Sequence, residues 1–478
     1  MIFLQTDLAR LVSNLGLLAK HFSCDLQGDQ GVELSSVCMS SIFAQPGSLF
    51  IATQGAKEHG ITFLSEAMKN GAVAVLTDRP GDYQIPALIH PNPRQIAGHI
   101  AREIYNTPKH GLFAVTGTNG KTSTTFYLQR ILVALGRPTG LLSSAAQIIG
   151  DKEMLSELTT PEAPRLHDLL SKMRTAGQPS AAVEVSAQAL VRNRIDGLHF
   201  DVAGFSNLSR DHLDDFGTME NYLEAKAKLF TSDFAAKAVI NVEDQYGHEL
   251  LEKITINKVG LGVGLDYQAE YVHGTLTISG KQSLSLPFDQ GKLMAKNYAL
   301  ALVMLLESGI APGDLVRASA EVNKQIPGRL ERVSPGNPPV FVDYAHTPAG
   351  VESAVEELSE KFPELTVVLG ASGNRDQGKR PEMARACQKA RRLIVTDQHP
   401  RDEDPALIRH ALMQAARESN IDAIEEPDPT KAIQKAISLA GAGAVLWCGP
   451  GQLKYREIQG SKIPFDAIAV ARAAVDGA

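Results

Sequence analysis

From Leu112 onward, short apolar runs alternate with segments of helical periodicity, the signature of a parallel α/β architecture. "LFAVT" (112–116), "AAVEV" (181–185) and "VAGFSNL" (202–208) predict buried strands. "PVFVDYA" (339–345), "LTVVLG" (365–370), "RLIVTD" (392–397) and "GAVLWCG" (443–449) predict a second such series. Between them "YVHGTLTISGKQSLSLPF" (271–288) alternates polar and apolar positions and predicts antiparallel hairpins. Leu128, Ile131, Leu132 and Leu135 recur at i, i+3, i+4 and i+7, so a helix follows the first strand. "GSLFIATQG" and "GAVAVLTD" near the start indicate a smaller α/β unit of its own. "IPGRLERV" (326–333) sets Pro and Gly behind a helical segment, as an interdomain hinge would. The expected domains are 1–107, 108–328 and 329–478.

The chain has 478 residues, which agrees with about three domains of ~150 residues. Its apolar content of 44% and charged content of 21% suit a soluble globular protein. A net charge of −7, from 47 basic and 54 acidic residues, argues against a non-specific nucleic-acid binder. No apolar run approaches the ~20 residues that span a bilayer, so no membrane insertion is expected. The start, "MIFLQTDLAR", lacks a basic region followed by a long apolar core, so no export signal is expected. Cys24, Cys38, Cys387 and Cys448 are scattered without CxxC spacing, as reduced thiols of a cytoplasmic protein are.

"AVTGTNGKTSTT" (114–125) joins the first strand to its helix. Small residues let backbone N–H groups of Gly117, Thr118, Asn119, Gly120 and Ser123 approach phosphate, and the helix N-terminus adds favourable partial charge. Lys121 can reach terminal phosphates, and the Thr122 hydroxyl can ligate Mg²⁺. The spacing departs from GxxxxGK[ST], with Val115 at the first glycine's place and Gly117 only three before Gly120. ATP or GTP is the expected ligand, and the absence of an NKxD stretch argues against a GTPase.

Glu184 interrupts an apolar strand at its carboxyl end, where α/β sheets place ligands. His212 follows the strand "VAGFSNL". Both would lie near the phosphate loop if their strands flank 112–116. In "MENYLEAKAKLF" (219–230), Met219, Tyr222, Leu223 and Phe230 share a helical stripe with Lys226, whereas Lys228 falls on another face. A lysine there is either a snorkelling stem or a neutralised or modified amine. As a carbamate it would offer the oxygens that Mg²⁺ prefers.

"TDQHPRDEDP" (396–405) carries both signs of charge at a strand end. It is either a solvated turn before a helix or the seat of a ligand with an ammonium and a carboxylate.

The TGTNGKT loop, "TTP" (159–161), "EVSAQAL" (184–190), "NLSRDHLD" (207–214), "EAKAKLF" (224–230), "PGRLE" (327–331), "DYAHTP" (343–348) and "GNRDQGKRPEM" (373–383) together resemble the Mur ligases. The resemblance is greatest to the MurE type, which adds the third amino acid to UDP-N-acetylmuramoyl-L-alanyl-D-glutamate. It implies an α/β protein of three domains: a UDP-sugar domain, a central P-loop ATPase and a C-terminal Rossmann-like domain for the incoming amino acid. It implies Lys121 as the phosphate lysine, and a catalytic and magnesium site of Thr122, Glu184, His212 and Lys226 as N6-carboxylysine. Asn297, Arg329, Asp343 and His346 would meet ATP across the domain interface. Ser41, Thr159, Thr160, Ser186, Arg192 and Arg194 would touch the UDP-muramoyl-peptide, and Arg375, His399 and Arg401 the amino acid. The protein is expected to act as a monomer in the cytoplasm. A folylpolyglutamate-synthase-like ligase shares the ATP loop but lacks a UDP-sugar domain before it. A non-catalytic nucleotide-binding paralogue would have lost the quartet of Lys121, Glu184, His212 and Lys226.

The sequence departs from the family at specific positions. Ser40-Ser41-Ile42 replaces Asp-Ser-Arg near the uridine site, Ser186-Ala187-Gln188-Ala189 replaces Ser-Ser-His-Gly, and Arg192 replaces a glutamine. Members adding meso-diaminopimelate carry DNPR and GKGHE. Here these are Gln398-His399-Pro400-Arg401 and Gly449-Pro450-Gly451-Gln452-Leu453. Leucine cannot accept an ammonium's hydrogen bonds. Lysine or ornithine is therefore the expected substrate, with diaminobutyrate and meso-diaminopimelate as alternatives and Asp402, Glu403 or Asp404 as partners for the side-chain ammonium.

Overall fold

The computed structural model describes residues 14–477 except 56 and 335. The start to which the export-signal reading refers lies outside them. Three sheets follow one another along the chain. The first has five strands in the order Asp25–Gln27, Ala87–Ile89, Ala72–Thr77, Ser48–Ala52 and Ser36–Cys38, parallel except for the antiparallel Asp25–Gln27 edge.

The central sheet has eleven strands. Leu112–Thr116 lies between Ser180–Glu184 and Val202–Phe205, parallel to both. All five side chains of Leu112–Thr116 are buried, as a continuous apolar run between two layers of helices requires. The sheet continues through Lys237–Asn241 and Asn257–Leu261 and ends in the antiparallel strands Tyr267–Val272, Thr275–Gly280 and Leu284–Pro287. The expected hairpins are thus an edge extension of this sheet. Helix Lys121–Ala134 packs against helix Gly291–Glu307, where the Tyr127 and Tyr298 rings meet edge-on at 4.7 Å. Leu128, Ile131 and Leu132 are buried there as the periodicity requires, and Leu135 caps the helix.

The third sheet has the order Glu331–Arg332, Val340–Asp343, Val445–Cys448, Thr366–Leu369, Arg392–Val395 and Ala423–Glu425. Its four expected strands are all present and mutually parallel. A separate hairpin, Tyr455–Ile458 with Ser461–Pro464, lies against the loop after Val395. There Arg401 N–H donates to Glu457 O and Gln459 N–H to Arg401 O. Because Leu112–Thr116, Ser180–Glu184 and Val202–Phe205 are parallel neighbours, their carboxyl ends open on one edge of the sheet. Among the described residues no helix is long and apolar enough to cross a membrane.

Candidate active site

The loop at residues 117–120 leaves the sheet between its two neighbours and enters helix Lys121–Ala134. It is braced by the end of the adjacent strand. Thr118 N–H donates to Asn207 O (2.9 Å), Asn119 N–H to Asn207 Oδ1 (3.1 Å) and Ser206 Oγ to Asn119 O (2.6 Å). Gly120 caps the helix at φ +86°, and a Cβ there would sit 2.1 Å from Asn297 Oδ1. Only glycine allows that approach. Asn297 is therefore placed directly under the loop. Lys121 Nζ folds over the loop, donating to Gly117 O (3.0 Å) and Thr118 O (2.9 Å). Its enclosure lowers its pKa, against the pull of Glu184 and Asp211.

Glu184 pairs in register with Val115, so its carboxylate emerges beside the loop. Glu184 Oε2 accepts from Thr122 Oγ1 (3.1 Å) and Ser144 N–H (2.8 Å). On helix Met219–Ala227 the stripe reading holds: Lys226 is 1% exposed, and Lys228 faces solvent. Lys226 Nζ donates to Gly117 O (2.8 Å), the carbonyl that Lys121 also uses, and lies 4.3 Å from the Tyr222 ring centre. Burial first, and then the Lys121 charge, push the Lys226 pKa well down.

His212 sits at φ +55° with Nε2 3.3 Å from Asp211 Oδ2. Burial holds its pKa at about 4 against the opposing pull of Asp211. Asp211 itself escaped the sequence reading. It is buried and gathers His212, His346 and Lys379, and the last two arrive from the third sheet's side. Burial alone would raise its pKa, but the His346 hydrogen bond and these neighbours hold it well below the carboxylate range. The neighbouring acid in "SRDH" was the available signal, but an Asp beside a His normally reads as a solvated cap.

Arg329 crosses from the hinge to the loop, with Nη2 3.1 Å from Thr122 Oγ1 and its guanidinium 4.5 Å from the Tyr344 ring centre. Asp343, expected at ATP, also lies here. Both its oxygens are taken by backbone N–H groups, of Leu330 and Ala345 at 2.6 Å each, so it shapes the turn that carries Arg329.

One cavity of about 760 Å³ joins these groups. Thr118, Asn119, Gly120, Lys121, Thr122, Ser123, Glu184, His212, Lys226, Asn297, Arg329, Asp343 and His346 line it. Thr159, Ser186, Arg192 and Arg194 line it too, as do Arg375, His399 and Arg401 from the third sheet's loops. Three expected contacts do not join it. Gly117 does not line it, and its carbonyl accepts from Lys121 Nζ and Lys226 Nζ. Ser41 lies in the first unit with its hydroxyl donated to Glu66 Oε2 (2.6 Å). Thr160 is buried behind the wall, bridging Glu184 O (2.8 Å) and Ser186 N–H (3.0 Å). Arg194 pairs with Glu162 at 2.9 Å, while its buried Nε has no partner.

The loop at 396–405 divides. Asp397 pairs with Arg409, Glu403 with Arg380 (2.8 Å), and Asp404 caps helix Pro405–Glu418 by accepting from Ala406 N–H (2.9 Å). None of Asp402, Glu403 and Asp404 lines the cavity: Glu403 and Asp404 are structural, and Asp402 is exposed. Gln398, His399 and Arg401 do line it.

Among the described residues no three His, Cys, Asp or Glu side chains gather as a metal cage. Mg²⁺ seldom takes one, since it keeps waters and phosphate oxygens beside one or two carboxylates. The Thr122 hydroxyl and Glu184 carboxylate, side by side at the phosphate loop, are oxygen donors of that kind.

Comparison with known proteins finds relatives over most of the chain. Residues 115–301 match the Mur ligase middle domain, and residues 328–451 match the Mur ligase glutamate ligase domain. A UDP-N-acetylmuramyl-tripeptide synthetase of Leifsonia xyli subsp. xyli is 41% identical over 96% of this chain and 95% of its own. A UDP-N-acetylmuramoyl-L-alanyl-D-glutamate--2,6-diaminopimelate ligase of Aquifex aeolicus is 36% identical over 93% of this chain and 94% of its own. A solved structure of a ligase of that second name has a TM-score of 0.65 at 27% identity, covering 96% of this chain and 98% of its own.

Proposed function

The chain belongs to the Mur ligase family of ATP-dependent ligases, and we propose that it adds a basic L-amino acid, lysine or ornithine, as the third residue of UDP-N-acetylmuramoyl-L-alanyl-D-glutamate. One observation carries this reading. A single cavity joins a phosphate loop to a wall bearing Arg375, His399 and Arg401, so an activated acyl group and an incoming amine can meet in it.

The γ-carboxylate of the D-glutamyl end attacks the terminal phosphorus of ATP, releasing ADP and forming an acyl phosphate. The amine then attacks the acyl carbon, the C–O bond to phosphate breaks, and the amine sheds a proton as the amide forms. Lys121 and the loop N–H groups stabilise charge on the transferring phosphoryl group, and Arg329 and Asn297 position the nucleotide. Mg²⁺ bound by Thr122, Glu184 and a carbamate on Lys226, with His212 beside them, would neutralise phosphate charge. Thr159, Ser186, Arg192 and Arg194 face the muramoyl-peptide in this reading. It also sets domain limits near 107 and 328, in keeping with sheets that fall within residues 25–89, 112–287 and 331–448.

Leu453 supports a diamino acid with one carboxylate over meso-diaminopimelate, although the name of the Aquifex aeolicus relative favours the latter. The test is phosphate release from ATP across an amino-acid panel. Release should require both the UDP-muramoyl-dipeptide and a free amino acid, with the highest kcat/KM for lysine or ornithine. Highest kcat/KM for meso-diaminopimelate would transfer the assignment to that substrate.

A further inference from the structure

The cavity wall that carries Arg401 holds a second charged group, on a different element. Glu457, on strand Tyr455–Ile458, lines the cavity beside Leu453 and Tyr455. Its carboxylate Oε2 lies 3.1 Å from Arg401 Nε. Its position is fixed from three directions. Its N–H donates to His399 Nδ1 (3.0 Å), its carbonyl accepts from Arg401 N–H (3.0 Å), and the adjacent Arg456 Nε donates to Gln398 O (2.8 Å).

Two consequences follow for a ligand. Arg401 and Glu457 meet through Nε and Oε2, so a ligand ammonium would approach Glu457 through its other carboxylate oxygen, and a ligand carboxylate at Arg401 would meet the Glu457 charge. Arg375 is the freer cation, its only close acid among the described residues being Asp214 at 3.9 Å. Beside this pair, Gln398 is 8% exposed and lines the same cavity, and its Oε1 is buried without a hydrogen-bond partner. It is wedged against Gly449, where a Cβ would fall 2.3 Å from its amide nitrogen. A buried acceptor without a donor carries an energetic penalty that a ligand N–H can relieve. A carboxylate and a free carbonyl oxygen on one wall form a receptor for an ammonium.

We propose that Glu457 and Gln398 recognise the side-chain ammonium of the incoming diamino acid, with Arg375 holding its α-carboxylate, and that Glu457 repels substrates carrying a second, distal carboxylate. The inference rests on the ligase reading above and names the residues that set its substrate. Glu457 takes the role that Leu453 cannot perform, from a hairpin rather than from the loop after Cys448.

The experiment compares wild type, Glu457→Gln, Glu457→Asp and Gln398→Ala with lysine, ornithine, norleucine and meso-diaminopimelate. Norleucine has the lysine chain without its amine. Glu457→Gln should raise KM for the preferred diamino acid by about 10-fold or more, as loss of a charge-assisted hydrogen bond does. The kcat and the KM values for ATP and the UDP-dipeptide should hold within about 3-fold. The preference for lysine over norleucine should shrink by the same ~10-fold, and Glu457→Asp should restore part of it. Gln398→Ala should shrink it less, since a neutral acceptor is lost. An unchanged lysine-to-norleucine ratio in Glu457→Gln overturns the proposal, as does a wild-type preference for meso-diaminopimelate. Trapping the acyl phosphate with hydroxylamine separates the two readings. A hydroxamate formed without amino-acid selectivity defeats only this inference, whereas no hydroxamate defeats the ligase reading and this inference with it.

Discussion

Lys379 Nζ donates to Asp211 Oδ1 at 3.0 Å, and both side chains are buried, joining helix Lys379–Arg385 to the loop after strand Val202–Phe205. Removing one partner of a buried pair leaves an uncompensated charge and costs roughly 3–5 kcal/mol. The nearby pairs of Arg210 with Asp376 and Glu382 bridge the same units, but Arg210 is half-exposed, and pairs open to solvent are worth about 0–1 kcal/mol. Lys379→Met should therefore lower the melting temperature far more than Arg210→Ala. Adding Asp211→Asn to Lys379→Met should recover part of the loss. Equal melting temperatures for Lys379→Met and Arg210→Ala would show that the buried pair does not anchor the two units.

Lys121 is the only cation folded directly onto the phosphate loop's carbonyls besides Lys226, among the described residues. Lys121→Ala should cost at least ~10²-fold in kcat, the size of a lost preorganised charge. Its effect on stability should be small or favourable, because a lysine held with a lowered pKa is a strained cation. Normal turnover with the muramoyl-dipeptide would remove Lys121 from the reaction.

Burial and the Lys121 charge push the Lys226 pKa well down, which favours the uncharged amine, the form that adds CO₂ to give a carbamate. Lys226→Ala should lose at least ~10²-fold in kcat, as for other lost charge-stabilising groups, and a short added carboxylic acid should restore a measurable fraction. Lys226→Arg should not be rescued by the wild-type route, since guanidinium stays protonated. A crystal of active, ATP-bound enzyme showing density that ends at Nζ would contradict the carbamate.

What the sequence made legible was local. Leu112–Thr116 is a five-residue apolar run that meets a Gly-rich turn, and both pattern and chemistry point one way. The stripe through Tyr222, Leu223 and Lys226 is set by helical period alone, and burial follows it. The groups that escaped are defined by distant partners. Asp211 has its lysine 168 positions away, so nothing adjacent marks it as buried. Glu457 lies on a strand whose side-chain pattern shows no burial preference. Only the docking of that hairpin onto Arg401 makes its carboxylate part of the cavity. Asp402, Glu403 and Asp404 misled for the converse reason: their charge was visible, but a helix cap, Arg380 and solvent claim them.

Acid should destabilise the protein through His167. This residue is fully buried between units, its Nδ1 2.7 Å from Thr107 Oγ1 and its Nε2 2.9 Å from Asp196 O. Burial is the main cause of its pKa falling to about 4, with the Asp196 carbonyl opposing. In the unfolded chain the imidazole takes a proton near pH 6.5. Between about pH 6.5 and 4 the unfolded state thus binds a proton that the folded state refuses, and stability falls as pH falls through that window. The shift corresponds to roughly 3 kcal/mol when complete. At neutral pH, His167→Gln can keep some of these hydrogen bonds while removing the titration. The variant should be somewhat less stable than wild type at pH 7.5, yet lose less between pH 6.5 and 4.5. Urea unfolding across that range measures the slope, and parallel curves for the two proteins would show that another group carries the acid sensitivity.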